Sequence, residues 1–331
     1  MNIYILEQGA YLHKKGDSIY VEKDKEVINK IPMKDIKNVT LFGAVQVSIQ
    51  CMIAMLEKGI DISIMTLNGN FRGKVVSALG KNIDLRIKQV TKSNDDIYCL
   101  HIAKELVKGK IRNGRTLLQY YYKNKNINEL KDIIIDLKTK MNSIENAKDL
   151  ASLLGYEGNL SRFYFDGFRK CLNEDIPFEG RKYFPSTDMT NALLSFGYSF
   201  LGREIQSMLE ANSLDPYVGF YHQIKYGRAS FSLDLVEELR HIIIDRLVLR
   251  ILNKGILKQD DFEKQTDGSV YLNKDKVKIF ISQYEKFVTD TMYDYCDKSL
   301  NTRDIIKAQV ERIKRSISQD INYDATLLKI K

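Results

Sequence analysis

Cysteine is scarce and scattered in this chain. Cys51, Cys99, Cys171 and Cys296 form no Cys-x-x-Cys pair, which argues against a zinc ribbon and against a disulfide framework. Four thiols so far apart read as reduced, buried side chains in a cytoplasmic protein. Long apolar runs are missing too. None approaches the roughly 18 residues of a membrane span, so no membrane association is expected. Met1–Ala10 carries Asn, Glu and Gln where a secretory leader needs an apolar core. Proline is almost absent from the larger part of the chain: after Gly80 only Pro177, Pro185 and Pro216 remain. Histidine is limited to His13, His101, His222 and His241.

What is present is ordinary in amount. The 331 residues suggest about two domains at roughly 150 residues each. A content of 44% hydrophobic and 28% charged residues is that of a globular protein able to bury a large core. Lys and Arg number 51 against 43 acids, a formal net charge of +8. That excess suits a polyanionic partner such as nucleic acid without requiring one.

The first 80 residues read as β-rich. Ile3–Leu6, Ser18–Val21 and Val39–Phe42 are short apolar or alternating runs bounded by Gly, Asp and Lys. One helix interrupts them. Ser48 is its N-cap, Ile49, Met52, Ile53 and Leu56 follow at helical spacing, and Gly59 stops it. Asp61–Leu67 and Phe71–Ser77 read as strands around a turn at Asn68–Asn70. From about residue 85 to 331 helical patterns take over: Ile102–Tyr121, with Lys104, Lys108, Lys110, Arg112 and Arg115 decorating it, then Ile127–Met141, Ile144–Leu154, Glu157–Leu172, Met189–Ala211, Leu233–Asn253, Asp275–Leu300 and Thr302–Ser318. The expected class is α+β, a small β-sandwich-like domain over residues 1–80 followed by a larger all-helical one. Leu214–Ser232 and Asp175–Asp188 are irregular stretches between helices, where sites tend to lie.

Three of the four histidines have unremarkable contexts; His222 does not. It ends the loop string Tyr217–His222, twelve residues before Asp234, and Glu237 follows three residues later. Asp234 and Glu237 share a helix face behind Ser232, a fair N-cap. An acidic first turn is also what the helix dipole favours, so these acids alone carry little. Glu157 stands among small and aromatic residues, where a carboxylate is poorly solvated and demands a partner. Two carboxylates and one imidazole suit Mn²⁺ or Mg²⁺; zinc more usually recruits further His or Cys. Such a metal activates a hydroxyl and stabilises charge during in-line attack on a phosphodiester.

The strings GYEGNLSRFYF (Gly155–Phe165), NALLSFGY (Asn191–Tyr198), GFYH (Gly219–His222) and GRASFSLDLVEELR (Gly227–Arg240) resemble, in order and spacing, the CRISPR-associated spacer-acquisition integrase/endonuclease family, the first of the numbered Cas proteins. Asn38–Gly43, Gly59–Ser63 and Leu85–Gln89 fit the same pattern, so the resemblance runs from Met1 to about Arg315. It implies a β-rich dimerisation domain and a helical catalytic domain. It also implies metal ligands at Glu157, His222 and Glu237, with a catalytic Asp at Asp234. The activity implied is metal-dependent cutting of double-stranded DNA and joining of 3′-hydroxyl ends into a CRISPR repeat by transesterification. It is carried out by homodimers bridged by a small ferredoxin-like partner. The chain departs from the family in Asp188–Asn191, in Arg181–Pro185, and in His241 where Pro often follows Arg240. His241 falls one turn after Glu237, which opens a fourth-ligand or proton-relay role beside a packing one.

Arg162, Arg181, Lys182, Lys225 and Arg228 lie close in sequence to the proposed ligands and are expected to contact phosphate, which positions DNA without reading it. The basic tail Lys307–Lys331 is either a further contact or a frayed end. Two rival functions stand beside the integrase: a non-catalytic DNA-binding or architectural subunit, and a metal hydrolase for a small phosphorylated substrate. Steep salt dependence of binding separates DNA from the small ligand.

Overall fold

Short alternating runs fold as strands at the start of the computed structural model, which describes residues 1–67, 71–76, 82–182 and 185–330. The chain divides into two compact units, Met1–Leu79 with Lys274–Lys278, and Gly80–Asn273 with Ile279–Lys331. The first holds β1 (Asn2–Ile5), β2 (Tyr11–Lys15), β3 (Ser18–Lys23), β4 (Glu26–Pro32), β5 (Asn38–Phe42), β6 (Gln46–Val47), α1 (Ile49–Glu57), β7 (Asp61–Met65) and β8 (Phe71–Val75). One four-stranded sheet runs β1-β5-β7-β8, the other β4-β3-β2-β6. In the first, β1, β5 and β7 are parallel and β8 is antiparallel.

Period-two burial explains why two sheets form. In β3, Ile19 and Val21 are buried while Ser18, Tyr20 and Glu22, which alternate with them, are partly exposed. Ile5, Val39, Leu41 and Ile62 of one sheet share a core with Leu12, Ile19, Val21 and Ile31 of the other and with Cys51, Ala54 and Met55 of α1. Each fully buried side chain of this kind contributes about 1.5–3 kcal/mol. The helix boundaries follow local chemistry. Ser48 Oγ accepts from Cys51 N at 3.2 Å, and Gly59 leaves the helix at φ +70°. The expected turn at Asn68–Asn70 and the end of the following strand at Ser77 lie outside the described residues.

The second unit holds α2 (Ile83–Ser93), α3 (Asp96–Lys125), α4 (Leu130–Lys140), α5 (Leu150–Cys171), α6 (Met189–Ala211), α7 (Ser230–Arg240), a π-turn over His241–Asp245, and α8 (Arg246–Asn253). After these come β9 (Phe262–Lys264), β10 (Val270–Leu272), α9 (Val277–Asp290, of which the second unit holds the part from Ile279), β11 (Met292–Tyr295), β12 (Lys298–Asn301), α10 (Thr302–Gln319) and β13 (Lys329–Ile330). The unit is mostly helical but carries two small sheets. The long α3 packs against α4, α5 and α7. Its residues Leu106, Val107, Ile111, Leu117 and Leu118 are buried.

Several expected boundaries move. Asp95 caps α3 by accepting from Ile97 N and Tyr98 N, so His101 lies inside that helix rather than at its start. The helices expected over Ile144–Leu154 and Glu157–Leu172 are largely one, α5, opened by a capping box between Asp149 and Ser152. Gly155 and Gly158 do not break it, since a helical glycine costs only about 1 kcal/mol. Glu157 is therefore two turns inside a helix. Ser232 is not an N-cap, because α7 already begins at Ser230 and the oxygen of Pro216 takes Phe231 N and Ser232 N. The helix expected over Asp275–Leu300 stops at Asp290, and the rest is the β11–β12 hairpin. Cys296 and Asp297 turn that hairpin at positive φ. Three cysteines are buried thiols; Cys296 is exposed. Among the described residues no helix is long and apolar enough to cross a membrane.

Candidate active site

The loop that ends in His222 is tied to α7 by a single carboxylate. Asp234, fully buried, accepts from the backbone N–H of Phe220 (2.7 Å), Tyr221 (3.0 Å) and His222 (2.8 Å). It also accepts from His222 Nδ1 at 2.8 Å. Gly219 makes this approach possible, because a Cβ there would sit 2.8 Å from Asp234 Oδ2 and 3.0 Å from Phe231 N. The imidazole is thereby fixed in orientation, with Nδ1 committed to Asp234 and Nε2 as its remaining ring nitrogen. Burial lowers the His222 pKa, but its bond to Asp234 and that group's charge outweigh burial and raise it, with Glu237 adding to the effect.

Three residues further on, Glu237 faces two cations. Arg240 donates to its Oε1 at 2.8 Å, and Lys110 Nζ lies 2.6 Å from its Oε2. The same ammonium pairs with Glu157 of α5, whose Oε1 also accepts from Ser161 Oγ at 2.7 Å. Lys110 is only 2% exposed, so it does not decorate the surface of α3 as its sequence context suggested. Two carboxylates from α5 and α7 thus converge on one buried ammonium from α3. Burial alone would raise both carboxyl groups. Arg240 and Lys110 override it at Glu237 and hold that group well below the usual carboxylate range. Lys110 does the same, less strongly, at Glu157, against the repulsion of Glu237.

Behind this face lies a second layer, built on Glu238. Glu238 is fully buried and accepts from Gln309 Nε2 (2.5 Å), Tyr323 OH (2.7 Å) and the backbone N–H of Thr326 (2.5 Å). Asn113 of α3 donates to the carbonyls of Glu238 and Thr326, both at 2.8 Å, and accepts from Leu328 N at 2.9 Å. The C-terminal stretch is therefore not frayed: Tyr323, Thr326 and Leu328 are buried against α3 and α7. Within the expected basic tail, Arg312 donates to Tyr295 OH and Lys314 to Asn212 at 3.4 Å. Gly109, beside Lys110, lets α7 approach, since a Cβ there would come within 2.5 Å of Glu238 Cγ.

His241 belongs to a packed cluster instead. It stacks on Tyr164 with centroids 3.7 Å apart. Its Nδ1 lies 2.8 Å from Asp245 Oδ2, and Asp245 also accepts from Tyr164 OH at 2.8 Å and Tyr198 OH at 2.6 Å. Burial pushes its pKa down to about 4, so it is neutral at physiological pH. These contacts are those of a packing histidine.

The five basic residues singled out from the sequence divide. Arg162, Lys182 and Lys225 are exposed. Arg162 bonds Asn159 and Lys182 pairs with Glu179. Arg181 is partly buried and donates to Asn191 Oδ1 (2.8 Å) and Ser195 Oγ (2.9 Å). Arg228 braces its own loop through Gln223 O and Ser230 Oγ.

Sequence reading missed Lys110, Arg240 as a partner of Glu237, and the layer around Glu238. A signal for Lys110 existed: it is in helical phase with Leu106, Asn113 and Leu117, all on the buried side.

The donor set can be tested against a divalent cation. Among the described residues no three His, Cys, Asp or Glu side chains stand in a metal-binding arrangement. Yet two carboxylates already share one cation, and an oriented imidazole stands near enough for Glu237 to act on it. The chemistry fits an oxygen-rich site with one nitrogen.

The architecture is that of a two-unit protein whose helical unit gathers two carboxylates around one ammonium beside an oriented histidine. The family model for the CRISPR associated protein Cas1 matches residues 3–286, and the chain belongs to the Cas1 family. It is 31% identical over 291 residues to the CRISPR-associated endonuclease Cas1 1 of Chlorobaculum tepidum, covering 86% of this chain and 85% of that protein. It is 30% identical to a CRISPR-associated exonuclease Cas4/endonuclease Cas1 fusion of Geobacter sulfurreducens, covering 96% of this chain and 58% of the fusion, so it spans little more than half of that relative. Its fold matches a casposase bound to an integration product with a TM-score of 0.85 at 19% identity, covering 98% of this chain and 92% of the other. A Cas1 protein from Thermotoga maritima matches with 0.80 at 22% identity, covering 96% and 97%.

Proposed function

We propose that this protein is a metal-dependent DNA endonuclease and integrase of CRISPR adaptation, joining 3′-hydroxyl ends of captured DNA into the repeat by transesterification. The observation that carries the reading is the convergence of Glu157 and Glu237 on one buried cation beside a histidine oriented by Asp234. Binding DNA alone requires none of this. The names of the relatives, endonucleases of CRISPR systems, support the same reading, as does a fold shared with a casposase bound to an integration product.

Glu157, Glu237 and His222 would hold Mn²⁺ or Mg²⁺. When bound, that ion supplies Lewis-acid polarisation of a phosphate oxygen and lowers the pKa of an attacking hydroxyl. The residues of the chain do the rest. Asp234 keeps the His222 ring aimed and in one tautomer. Lys110 and Arg240 offset negative charge in a largely buried site. The exposed Arg162, Lys182 and Lys225 attract the DNA backbone, and Arg181 and Arg228 stiffen the segments beside it. No covalent enzyme intermediate is required, because the DNA end is itself the nucleophile. The β-rich unit serves dimerisation, and a small ferredoxin-like partner bridges two dimers. The fold is shared with a chain of a Cas6-RT-Cas1–Cas2 complex, which supports such a partner.

The test is strand joining. Purified protein, with and without the small partner, is mixed with a short duplex and a repeat-bearing plasmid in Mn²⁺ or Mg²⁺. Glu157→Ala and His222→Ala should each lower joined product roughly a hundredfold or more, through loss of several kcal/mol of transition-state stabilisation. DNA binding should persist. Joining by Glu157→Ala at the wild-type rate would return the protein to an architectural role.

A further inference from the structure

We propose that Lys110 is a resident counter-cation that competes with the metal for Glu157 and Glu237, and that its displacement couples metal binding to DNA binding. The inference rests on the metal reading above and goes beyond it, since it makes the free protein a weak metal binder by construction.

The two glutamates are charge-matched without a metal. Glu157 and Glu237 are matched by Lys110 and Arg240, and the side chains are 16%, 12%, 2% and 5% exposed. Lys110 Nζ contacts both carboxylates, so it lies where a shared divalent ion would share the same oxygens. An ion entering beside it meets an ammonium among largely buried side chains, where like-charge repulsion is weakly screened. Arg240 cannot relieve this, because its guanidinium is held at 2.8 Å from Glu237 Oε1 and stacked 4.2 Å from the Tyr198 ring. Lys110 can. Its ammonium is a point charge on a flexible four-carbon stem, and its helix is anchored independently by the Asn113 bonds one turn away.

A divalent ion added beside the matched Glu157, Glu237, Lys110 and Arg240 brings two further positive charges, against which the site's remaining acid is Asp234, already bonded to His222. A DNA phosphate supplies negative charge at the same place. With phosphate present, the ion takes the carboxylates and the displaced ammonium turns to the phosphate. Metal and DNA therefore bind better together than separately, and by linkage each strengthens the other equally. The free protein then carries little metal that would cut DNA at random.

The experiment measures Mn²⁺ binding directly, from the electron paramagnetic resonance signal of free Mn²⁺, with and without a short duplex. The proteins are wild type, Lys110→Met and Lys110→Gln, each checked by thermal melting. Without DNA, both variants should bind Mn²⁺ about tenfold or more tightly than wild type. Duplex should tighten Mn²⁺ binding by wild type and have much less effect on the variants. Equal or weaker Mn²⁺ binding by a folded variant overturns the competition while leaving the metal reading intact. Wild-type affinity that duplex does not change also overturns it, and needs no variant. Absence of Mn²⁺ binding in every protein and condition overturns both.

Discussion

Glu237 and Glu238 are neighbours on α7, and the protein stabilises them in opposite ways. Glu237 is matched by the cations Lys110 and Arg240 and is held strongly ionised. Glu238 is surrounded by neutral donors, Gln309, Tyr323 and the backbone of Thr326. Burial raises its pKa despite those bonds. The difference separates two uses of a buried acid. A carboxylate balanced by a separate side-chain cation can exchange its partner for another cation. One satisfied by fixed dipoles cannot, and instead fixes the geometry of what lies around it.

The comparison can be broken most severely at the structural side. Glu238→Ala leaves Gln309, Tyr323 and Thr326 N without their acceptor and opens a cavity. It should lower stability by about 3–5 kcal/mol in urea denaturation. A loss below about 1 kcal/mol would mean that the C-terminal segment is not anchored there. On the other side, Asp234→Asn keeps the shape of the carboxylate but withdraws the charge that orients His222. Strand joining should fall roughly 10–100-fold, read as rate at saturating Mn²⁺.

Acidity sharpens the contrast, because the two glutamates should respond with opposite sign. A depressed carboxyl such as Glu237 contributes stability above the ordinary carboxylate pKa, lost as pH falls through that value toward the folded one. The stability advantage of wild type over Glu237→Gln should shrink on acidification from pH 7. Glu238 is raised, so its contribution is fully present below the ordinary value and is lost as pH rises toward its folded pKa. The difference between wild type and Glu238→Gln should therefore move the other way over the same range. Denaturation curves at several pH values decide it; parallel trends would show that the two environments are not distinct. The smallest effect belongs to the surface. Lys225→Ala should reduce the slope of log affinity for DNA against log salt by about 1 and leave the remaining binding intact.

Much of this was legible in the sequence where chemistry is local. Ser48 and Gly59 bound α1 because capping needs only adjacent residues. Glu157, His222 and Glu237 were singled out by residue type and motif. The rest depended on contacts that leave no local trace. Lys110 looked like one more surface lysine among Lys104, Lys108 and Arg112, although its helical phase was that of Leu106 and Leu117. Glu238 meets Tyr323 and Thr326 across 85 and 88 residues. The Asp275–Leu300 stretch was read as one helix because the apolar spacing of α9 runs straight into Tyr293 and Tyr295. These are the buried alternate positions of β11, where the period changes from helix to strand.

The long reach from Glu238 to Thr326 has a consequence for synthesis. While the chain emerges from the ribosome, α3, α5 and α7 are all made before the segment that closes over α7. Until Tyr323–Leu328 have left the exit tunnel, Glu238 lacks two of its three partners and Asn113 lacks Leu328. Cotranslational order thus builds in a delay: α3 and α7 lack these contacts until Tyr323, Thr326 and Leu328 have emerged.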